Sequence, residues 1–377
     1  MQPPRMILFA FAAFFLTQAF SQNSKIDSVK VLVPNLSNDS SKVKTLVFLA
    51  NEYRKLGDSL ALRYAREAYS LAAALKYYKG QARAATQLGR YMRQLSKKDE
   101  ALKYFQESID LSEKAGYLSG VGAGYLNMGT IYYEQARYEQ AREYFERSLA
   151  ACEKDNDKEG VALATGNIGI TYEADGNYTR ALDAYFQALK MNEEINYKQG
   201  MAYNFGAIAI NYSKQGDHQK SIEFHQKALE IHRENDPYYV AVTQVNMGVA
   251  YRKMKEYARA LEALNEALLT FQKMGSVGVQ AHVFAGIAQV YLDQSDLSLA
   301  AAYFRRAQRA RSKGDESGNA SDLAHLSETY VKMAKADSAL FFAKQGLIIA
   351  ERITSVENMV STSKALYEAY KLKGDRG

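Results

Sequence analysis

The sequence predicts an all-α fold in which helix-turn-helix repeats stack one after another as a solenoid. The main observation is a tyrosine that recurs every 39 or 40 residues, a period typical of stacked repeat proteins. A small residue recurs nine residues after it and a bulky one usually four residues later, so both lie on one face of a helix. The nine repeat positions are Tyr53, Met92, Tyr132, Tyr172, Tyr212, Tyr251, Tyr291, Tyr330 and Tyr370.

Each repeat is predicted to contain a first helix, called here helix A, which ends just after the repeat tyrosine, and a second, helix B. Three residues before the tyrosine, most repeats place a glycine or another small residue, as at Gly89, Gly129 and Gly169. A glycine inside a helix costs about 1 kcal/mol relative to alanine. Its return at one position therefore indicates that helix B packs closely against helix A there.

Polar turns such as residues 174–177 and 214–217 are predicted to join helix A to helix B. Another set of glycines recurs where one repeat passes to the next. We expect this set to be turn or helix-entry residues, because glycine tolerates left-handed backbone angles and lets the chain close tightly. It comprises Gly80, Gly120, Gly160, Gly200 and Gly318.

Eight complete repeats and a partial ninth are predicted over residues 42–377. Residues 361–374 read as a ninth helix A with its turn and without a helix B, which suits either a capping helix or a longer array. Ala365, Leu366 and Ala369 could also support self-association through this last helix. The predicted repeats start near residues 42, 82, 122, 162, 202, 241, 281, 320 and 360.

Residues 1–21 are predicted to be a secretory signal peptide. Arg5 precedes an apolar run of 11 residues, and Ala19 and Ser21 suit a signal-peptidase site. The run is shorter than the roughly 20 residues that a membrane-spanning helix needs. We therefore expect an exported protein, periplasmic or secreted, which an uncleaved N-terminal segment or a further C-terminal part would tether to a membrane. Residues 22–41, rich in Ser, Asn and Lys, are predicted to be a polar linker.

The repeat residues resemble the tetratricopeptide repeat (TPR) over residues 42–377. The period near 40 exceeds the usual 34 of that family, and the proline that closes each repeat is missing. The long period is similar to the variant found in kinesin light chains, cell-polarity adaptors and the sensory regions of bacterial histidine kinases and regulators. The resemblance implies a right-handed solenoid. The residues that carry it are 126–129 (Leu-Asn-Met-Gly) with Tyr132, Ala141 and Phe145, 167–169 (Asn-Ile-Gly) with Tyr172, Ala181 and Tyr185, and 246–248 (Asn-Met-Gly) with Tyr251 and Ala260.

The sequence contains no recognisable catalytic motif, so we expect no enzyme activity and no cofactor. Cys152, the only cysteine, reads as a small core residue. His218, His225 and His232 are seven residues apart on helix B of one repeat. Seven residues rise about 10.5 Å along a helix, whereas imidazoles that share one zinc ion lie about 2 Å from it. These histidines therefore predict no metal site.

The resemblance implies that helix A lines a concave groove that binds a partner. In the first two repeats the groove positions are basic, which favours acidic partners, although a cationic stretch on a helix is also typical of a solvated face. Nucleic acid is disfavoured by the export signal. The groove candidates are Lys44, Asn51, Arg54, Lys55, Arg83, Arg90 and Arg93, followed by Tyr133, Glu134, Ile170, Glu173, Arg252 and Lys253.

Amide side chains recur five residues before the repeat tyrosine, at Gln87, Asn127, Asn167 and Asn246, with Ala207 interrupting the row. A carboxamide offers a donor and an acceptor, so such a row suits the backbone of an extended peptide. The alternative is a structural role, in which an asparagine at a helix interface satisfies a neighbouring turn and never touches a ligand.

These observations favour a non-enzymatic, exported scaffold that binds an extended protein or peptide segment along its groove. The alternative is the sensory input region of a membrane-bound signalling protein, a histidine kinase or transcription regulator, whose output domain is not in this chain.

Overall fold

The computed structural model describes residue 26 and residues 28–233, 236–312 and 314–374. Within these residues the chain forms seventeen α-helices from residue 40 onward and no strand, so the predicted all-α solenoid of helix pairs is confirmed. Contacts between Cα atoms divide the chain into two compact units, unit 1 (Met1–Asn196) and unit 2 (Tyr197–Gly377).

Unit 1 holds four helix pairs. Each helix A packs against its own helix B, against the helix B that precedes it where there is one, and against the neighbouring helices A. The pairs are α1 (Ser40–Lys55) with α2 (Leu60–Ala74), α3 (Tyr78–Gln94) with α4 (Lys98–Lys114), α5 (Leu118–Glu134) with α6 (Tyr138–Lys154), and α7 (Lys158–Ala174) with α8 (Tyr178–Glu194).

Unit 2 holds four further pairs and the ninth helix A, which was predicted from Tyr370. The pairs are α9 (Lys198–Lys214) with α10 (His218–His232), α11 (Pro237–Lys253) with α12 (Tyr257–Lys273), α13 (Val277–Asp293) with α14 (Leu297–Ala310), and α15 (Glu316–Lys332) with α16 (Ala336–Arg352), followed by α17 (Val356–Lys373). None of the described helices combines the length and hydropathy needed to cross a bilayer.

Helix A and helix B of each repeat approach so closely that a side chain between them has no room. A Cβ atom added to Gly129 would lie 2.6 Å from the Phe145 ring and 3.1 Å from the carbonyl oxygen of Ala141. Gly169 meets Tyr185 and Ala181 in the same way. The prediction of a tight contact at this repeat position is therefore confirmed.

The glycines expected in the turns between repeats lie instead in the first turn of helix A, which begins two to four residues before the predicted repeat starts. Chain reversal occurs earlier, at left-handed residues such as Gly116 and Asn156. A Cβ atom on Gly120 would lie 2.4 Å from the Tyr117 ring and 2.5 Å from the Ser112 hydroxyl. Gly80, Gly120, Gly160 and Gly318 thus serve close packing at the entry to helix A, and only the expectation of a turn role was wrong.

The predicted polar linker differs from the structure over its described part. Residues 28–32 are helical and Val33–Asn35 forms a 3-10 helix. Ile26 and Val33 are buried in one apolar cluster with α1 and α2, because isolated apolar residues in this polar stretch find tertiary partners. Asp39 then caps α1 by accepting from the backbone N–H of Ser41 at 2.8 Å. The predicted signal peptide lies outside the described residues.

His225 occupies the helix B position where other repeats place Phe or Tyr, and its side chain is buried. Burial lowers the pKa of its imidazole to about 4, and no hydrogen-bond partner reaches its Nδ1 atom among the described residues. The folded chain therefore holds this histidine in its neutral form.

We expect Gly129→Ala to lower the free energy of unfolding by about 1–3 kcal/mol, because the added methyl group overpacks the contact with Phe145. Gly206→Ala is the matched control. Gly206 lies inside α9 with no heavy atom within 4 Å of an added Cβ, so this change should raise stability by up to about 1 kcal/mol. Urea unfolding followed by circular dichroism measures both, and equal effects at the two positions would contradict the close-contact argument.

We expect acid to destabilise the fold through His225. An unfolded histidine titrates near 6.5 and this one near 4, so between these values the unfolded state binds more protons. The stability is fully present above pH 6.5 and falls by up to about 3 kcal/mol as pH drops toward 4. In the variant His225→Phe, the free energy of unfolding measured by urea titration should fall less steeply as pH drops across this window. If the free energy of unfolding depends on pH with the same slope in both proteins, His225 is not the source of the acid sensitivity.

Candidate peptide-binding surface

Consecutive helices A of unit 1 share a face, called here the helix A face, whose side chains range from exposed to buried. It consists of the side chains that lie nine, five and two residues before the repeat tyrosine. On α3 these are Arg83, Gln87 and Arg90, which line a cavity of about 290 Å³ that reaches Val47 of α1 and Ala123 of α5. The structure therefore brings these three predicted site residues together.

Arg90 is the central charge of this face. Its Nε donates to the Oδ1 atom of Asn127 at 3.2 Å. Burial, together with the positive charges of Arg54 and Arg93, lowers the pKa of Arg90 to about 10. No carboxylate of the described residues contributes to the pKa shift of Arg90.

Arg54 and Arg93 complete the cluster. Burial lowers the pKa of Arg54, repulsion from Arg93 adds to the effect, and Glu52 opposes it. Arg54 donates to Asn51 Oδ1 at 3.2 Å, and its Nε has no partner among the described residues. Arg93 lies 3.9 Å from Glu134, a loose ion pair. Nearby carboxylates therefore compensate little of the positive charge of these three guanidinium groups.

A buried arginine in unit 2 provides a comparison. Arg311 donates to both Asp322 and Asp315, at 2.9 Å and 2.6 Å. Burial alone would lower the pKa of Arg311, but its hydrogen bonds to these two carboxylates and their charges raise it overall. Arg311 is thus neutralised within the fold, and Arg90 is not.

The cavity beside Arg90 also holds polar atoms that lack a protein partner. The Oε1 atom of Gln87 and the hydroxyl of Ser112 are buried and make no hydrogen bond to a described residue. Arg83 stacks over the Tyr117 ring at 5.3 Å and borders the same cavity. Cations, an amide acceptor and a hydroxyl therefore converge on one space, an arrangement that can bind a carboxylate together with a backbone N–H.

The predicted row of amides divides into different environments. Asn127 is buried; its Nδ2 donates to Ala123 O at 2.6 Å, and its Oδ1 accepts from Arg90. Its amide thus holds Arg90 in place. Asn167 donates to Leu163 O at 2.8 Å, and Asn246 lies half-buried on α11 of unit 2.

Other predicted groove residues have partners inside the fold. On α1, Lys44 is exposed, while Asn51 and Lys55 both donate to Glu52, at 3.0 Å and 2.7 Å. This buried carboxylate was not singled out from the sequence, and it neutralises part of the basic stretch.

Side chains one residue after the repeat tyrosine contact neighbouring helices. The Tyr133 ring contacts that of Tyr138 on its own helix B at a tilt of 51°, and Glu173 accepts from the Tyr185 hydroxyl. In unit 2, Arg252 pairs with Asp293 of the next helix A at 2.8 Å. These predicted site residues therefore lie beside the helix A face and take part in packing or ion pairs.

The character of the helix A face changes along unit 1. At the same repeat positions α7 carries exposed Leu163 and half-buried Ile170, so apolar groups follow the basic cluster of α1 and α3. Leu163 was missed in the sequence, although its position nine residues before Tyr172 matches those of Lys44 and Arg83.

Two further features of the described residues concern metal binding and the single cysteine. No cluster of three or more His, Cys, Asp or Glu side chains there could hold a metal ion. Burial raises the pKa of Cys152 to about 11, which keeps its sulfur protonated near neutral pH.

Unit 2 has its own cavity of about 450 Å³ on α15 and α17. Glu328 and Lys332 border it from α15, and Lys364 and Glu368 border it from α17. Charges of both signs alternate there, so this cavity lacks the cationic excess of unit 1.

Family models described as tetratricopeptide repeat match residues 81–115, 121–194, 199–273 and 245–315, which together make up more than half of the chain. No curated protein sequence matches it.

Solved structures with the same fold are only distantly similar in sequence. A Rap protein complexed with Competence and Sporulation Factor is 14% identical, with 90% of this chain and 96% of that one covered and a TM-score of 0.62. The apo quorum sensor NprR from B. thuringiensis is 16% identical, with 89% and 94% covered and a TM-score of 0.61. A signal transduction ATPase with a tetratricopeptide repeat sensor, from Pyrococcus horikoshii, is 15% identical, with 89% of this chain and 50% of that one covered and a TM-score of 0.63.

Proposed function

Since this chain belongs to the tetratricopeptide repeat family, we propose that it is a non-enzymatic scaffold that binds an extended, acidic peptide or protein segment on the helix A face of unit 1. The observation that carries the proposal is the uncompensated charge of Arg90. A buried cation without a carboxylate costs free energy, and a bound anion removes that cost.

The surroundings of Arg90 specify the chemistry of the partner. Arg54, Arg90 and Arg93 supply the positive potential, and the free Oε1 atom of Gln87 can accept a backbone N–H. Leu163 and Ile170 offer apolar contacts farther along the same unit. The expected ligand is therefore an extended segment with a Glu or Asp side chain near one end and an apolar residue near the other.

Two further proposals concern cellular context. Residues 1–21 support export to the periplasm or outside the cell, with a membrane tether only if that segment stays uncleaved or more chain follows. The second candidate function is the sensory input region of a signalling protein, which the likeness to an ATPase with a tetratricopeptide repeat sensor favours.

We expect a fluorescent peptide of alternating Glu and Ala to bind the full chain, and the matching Gln and Ala peptide to bind more weakly. Arg90→Gln should weaken binding of the Glu peptide about 10- to 100-fold, the effect of losing a charged hydrogen bond. Fluorescence anisotropy at low salt measures both, because salt screens such contacts.

Arg147→Gln is the matched control, since it removes an exposed charge from helix α6, outside the helix A face. It should leave the affinity unchanged. Gln87→Leu should weaken the Glu and Gln peptides equally, because Gln87 would contact the backbone. If Arg90→Gln and Arg147→Gln have the same effect, or if both peptides bind alike, the acidic-segment proposal fails.

We expect the protein isolated from its own host to lack residues 1–21, because a signal peptidase would cut after Ser21. Intact-mass spectrometry measures this, and the coding DNA beyond the codon for Gly377 is read alongside it. A mass that retains Met1 would overturn the cleaved, untethered form of the export proposal. A continuation into an apolar run of about 20 residues and an output domain would establish the sensory alternative.

A further inference from the structure

The last described helix of unit 2, α17, is buried on one side only. Its buried residues are Asn358, Thr362, Ala365 and Ala369, on the side toward α15 and α16. The opposite side carries Val356, Val360, Ser363 and Tyr367, spaced four, three and four residues apart on one helical face. We call these four residues the outer face of α17.

The outer face of α17 exposes large apolar side chains. Val356 is 70% exposed, Val360 64% and Tyr367 62%. In the other helices A of unit 2, the positions that match Val360 and Tyr367 are occupied by small residues and lie buried under helix B. These are Ala202, Ala241, Ala281 and Ala320 for Val360, and Ala209, Gly248, Ala288 and Ser327 for Tyr367.

Tyr367 alters what can pack on this face. At the equivalent Gly248, even a Cβ atom would lie 2.7 Å from Leu264 and 3.3 Å from the Ala260 carbonyl oxygen. A tyrosine ring at that position keeps out a helix B packed as in the preceding repeats. The outer face therefore suits a partner whose helix axis lies farther away, with room for the ring between the two helices.

We propose that this partner is a second copy of the chain, with the two α17 helices packed antiparallel about a two-fold axis between Ser363 and Lys364. This arrangement places Val360 of each copy opposite Tyr367 of the other copy, so that each valine contacts an aromatic ring. A two-fold interface of this kind uses the same patch on both copies.

Charge complementarity supports the same register. Glu357 and Lys371 are exposed and lie on the same flank of the outer face. The two-fold axis brings Glu357 of one copy beside Lys371 of the other, and this pairing occurs twice. The two Lys364 side chains lie near the axis, where their like charges limit the affinity.

The size of the interface sets its strength. One pair of 18-residue helices, each about 27 Å long, buries less than about 1,200 Å² in total. The dimer is therefore weak and reversible, and its population rises with protein concentration.

Sedimentation velocity of the full chain, from micromolar to near-millimolar concentration, tests the proposal. The wild-type mass should rise toward twice the monomer mass. Tyr367→Asp should remain monomeric throughout, because it buries a charge in the interface. Leu269→Asp, on a 52% exposed residue of α12, is the control and should associate as the wild type does. Circular dichroism shows that each variant is folded.

A charge exchange tests the register itself. Glu357→Lys should weaken the dimer at least several-fold, and the double variant Glu357→Lys with Lys371→Glu should restore it. A wild-type protein that stays monomeric would overturn the proposal. So would association that survives Tyr367→Asp, or a double variant that fails to regain the wild-type affinity.

Discussion

The close approach of helix A to helix B is the constraint on which the rest of each unit depends. Phe145 and the Ala141 carbonyl oxygen leave no space for a Cβ atom at Gly129, and Tyr185 and Ala181 do the same at Gly169. Because the small residue recurs with the period of the repeat, successive pairs keep one spacing. Side chains at equivalent positions of consecutive helices A then come to share a face within a unit.

On the helix A face, this regular packing brings together positive charges that have few counter-ions within the fold. Arg90 lies among Arg54 and Arg93 with an amide as its nearest partner, whereas Arg311 lies between two carboxylates. The Arg90 side chain is half-buried and that of Arg311 is buried, so both lose contact with water, and the main difference lies in their counter-ions. A fold under selection for stability alone favours the arrangement around Arg311. The arrangement around Arg90 lacks such compensation, and this is why we propose a partner that brings negative charge with it.

The sequence allowed the positions of Arg83, Gln87 and Arg90 to be predicted, because their distance from the repeat tyrosine fixes the face of the helix on which they lie. The same reasoning did not identify the partners of Asn127, Glu52 or Arg252. Asn127 accepts from a residue 37 positions away, and Arg252 pairs with one 41 positions away. Such contacts depend on side-chain rotamers and on the distance between helices. Neither can be read from a repeat pattern.

The sequence by itself determined the helical class, the number of repeats and the close contact at the small residue, because these follow from a period of local residue types. Only the tertiary structure decided where each helix A begins, that Gly120 serves packing, and that Ile26 and Val33 join the first core cluster. It also decided that no carboxylate of the described residues contributes to the pKa of Arg90 and that the outer face of α17 is exposed. Burial and electrostatic balance arise from groups on different helices, and their free energies depend on distances that the order of residues does not contain.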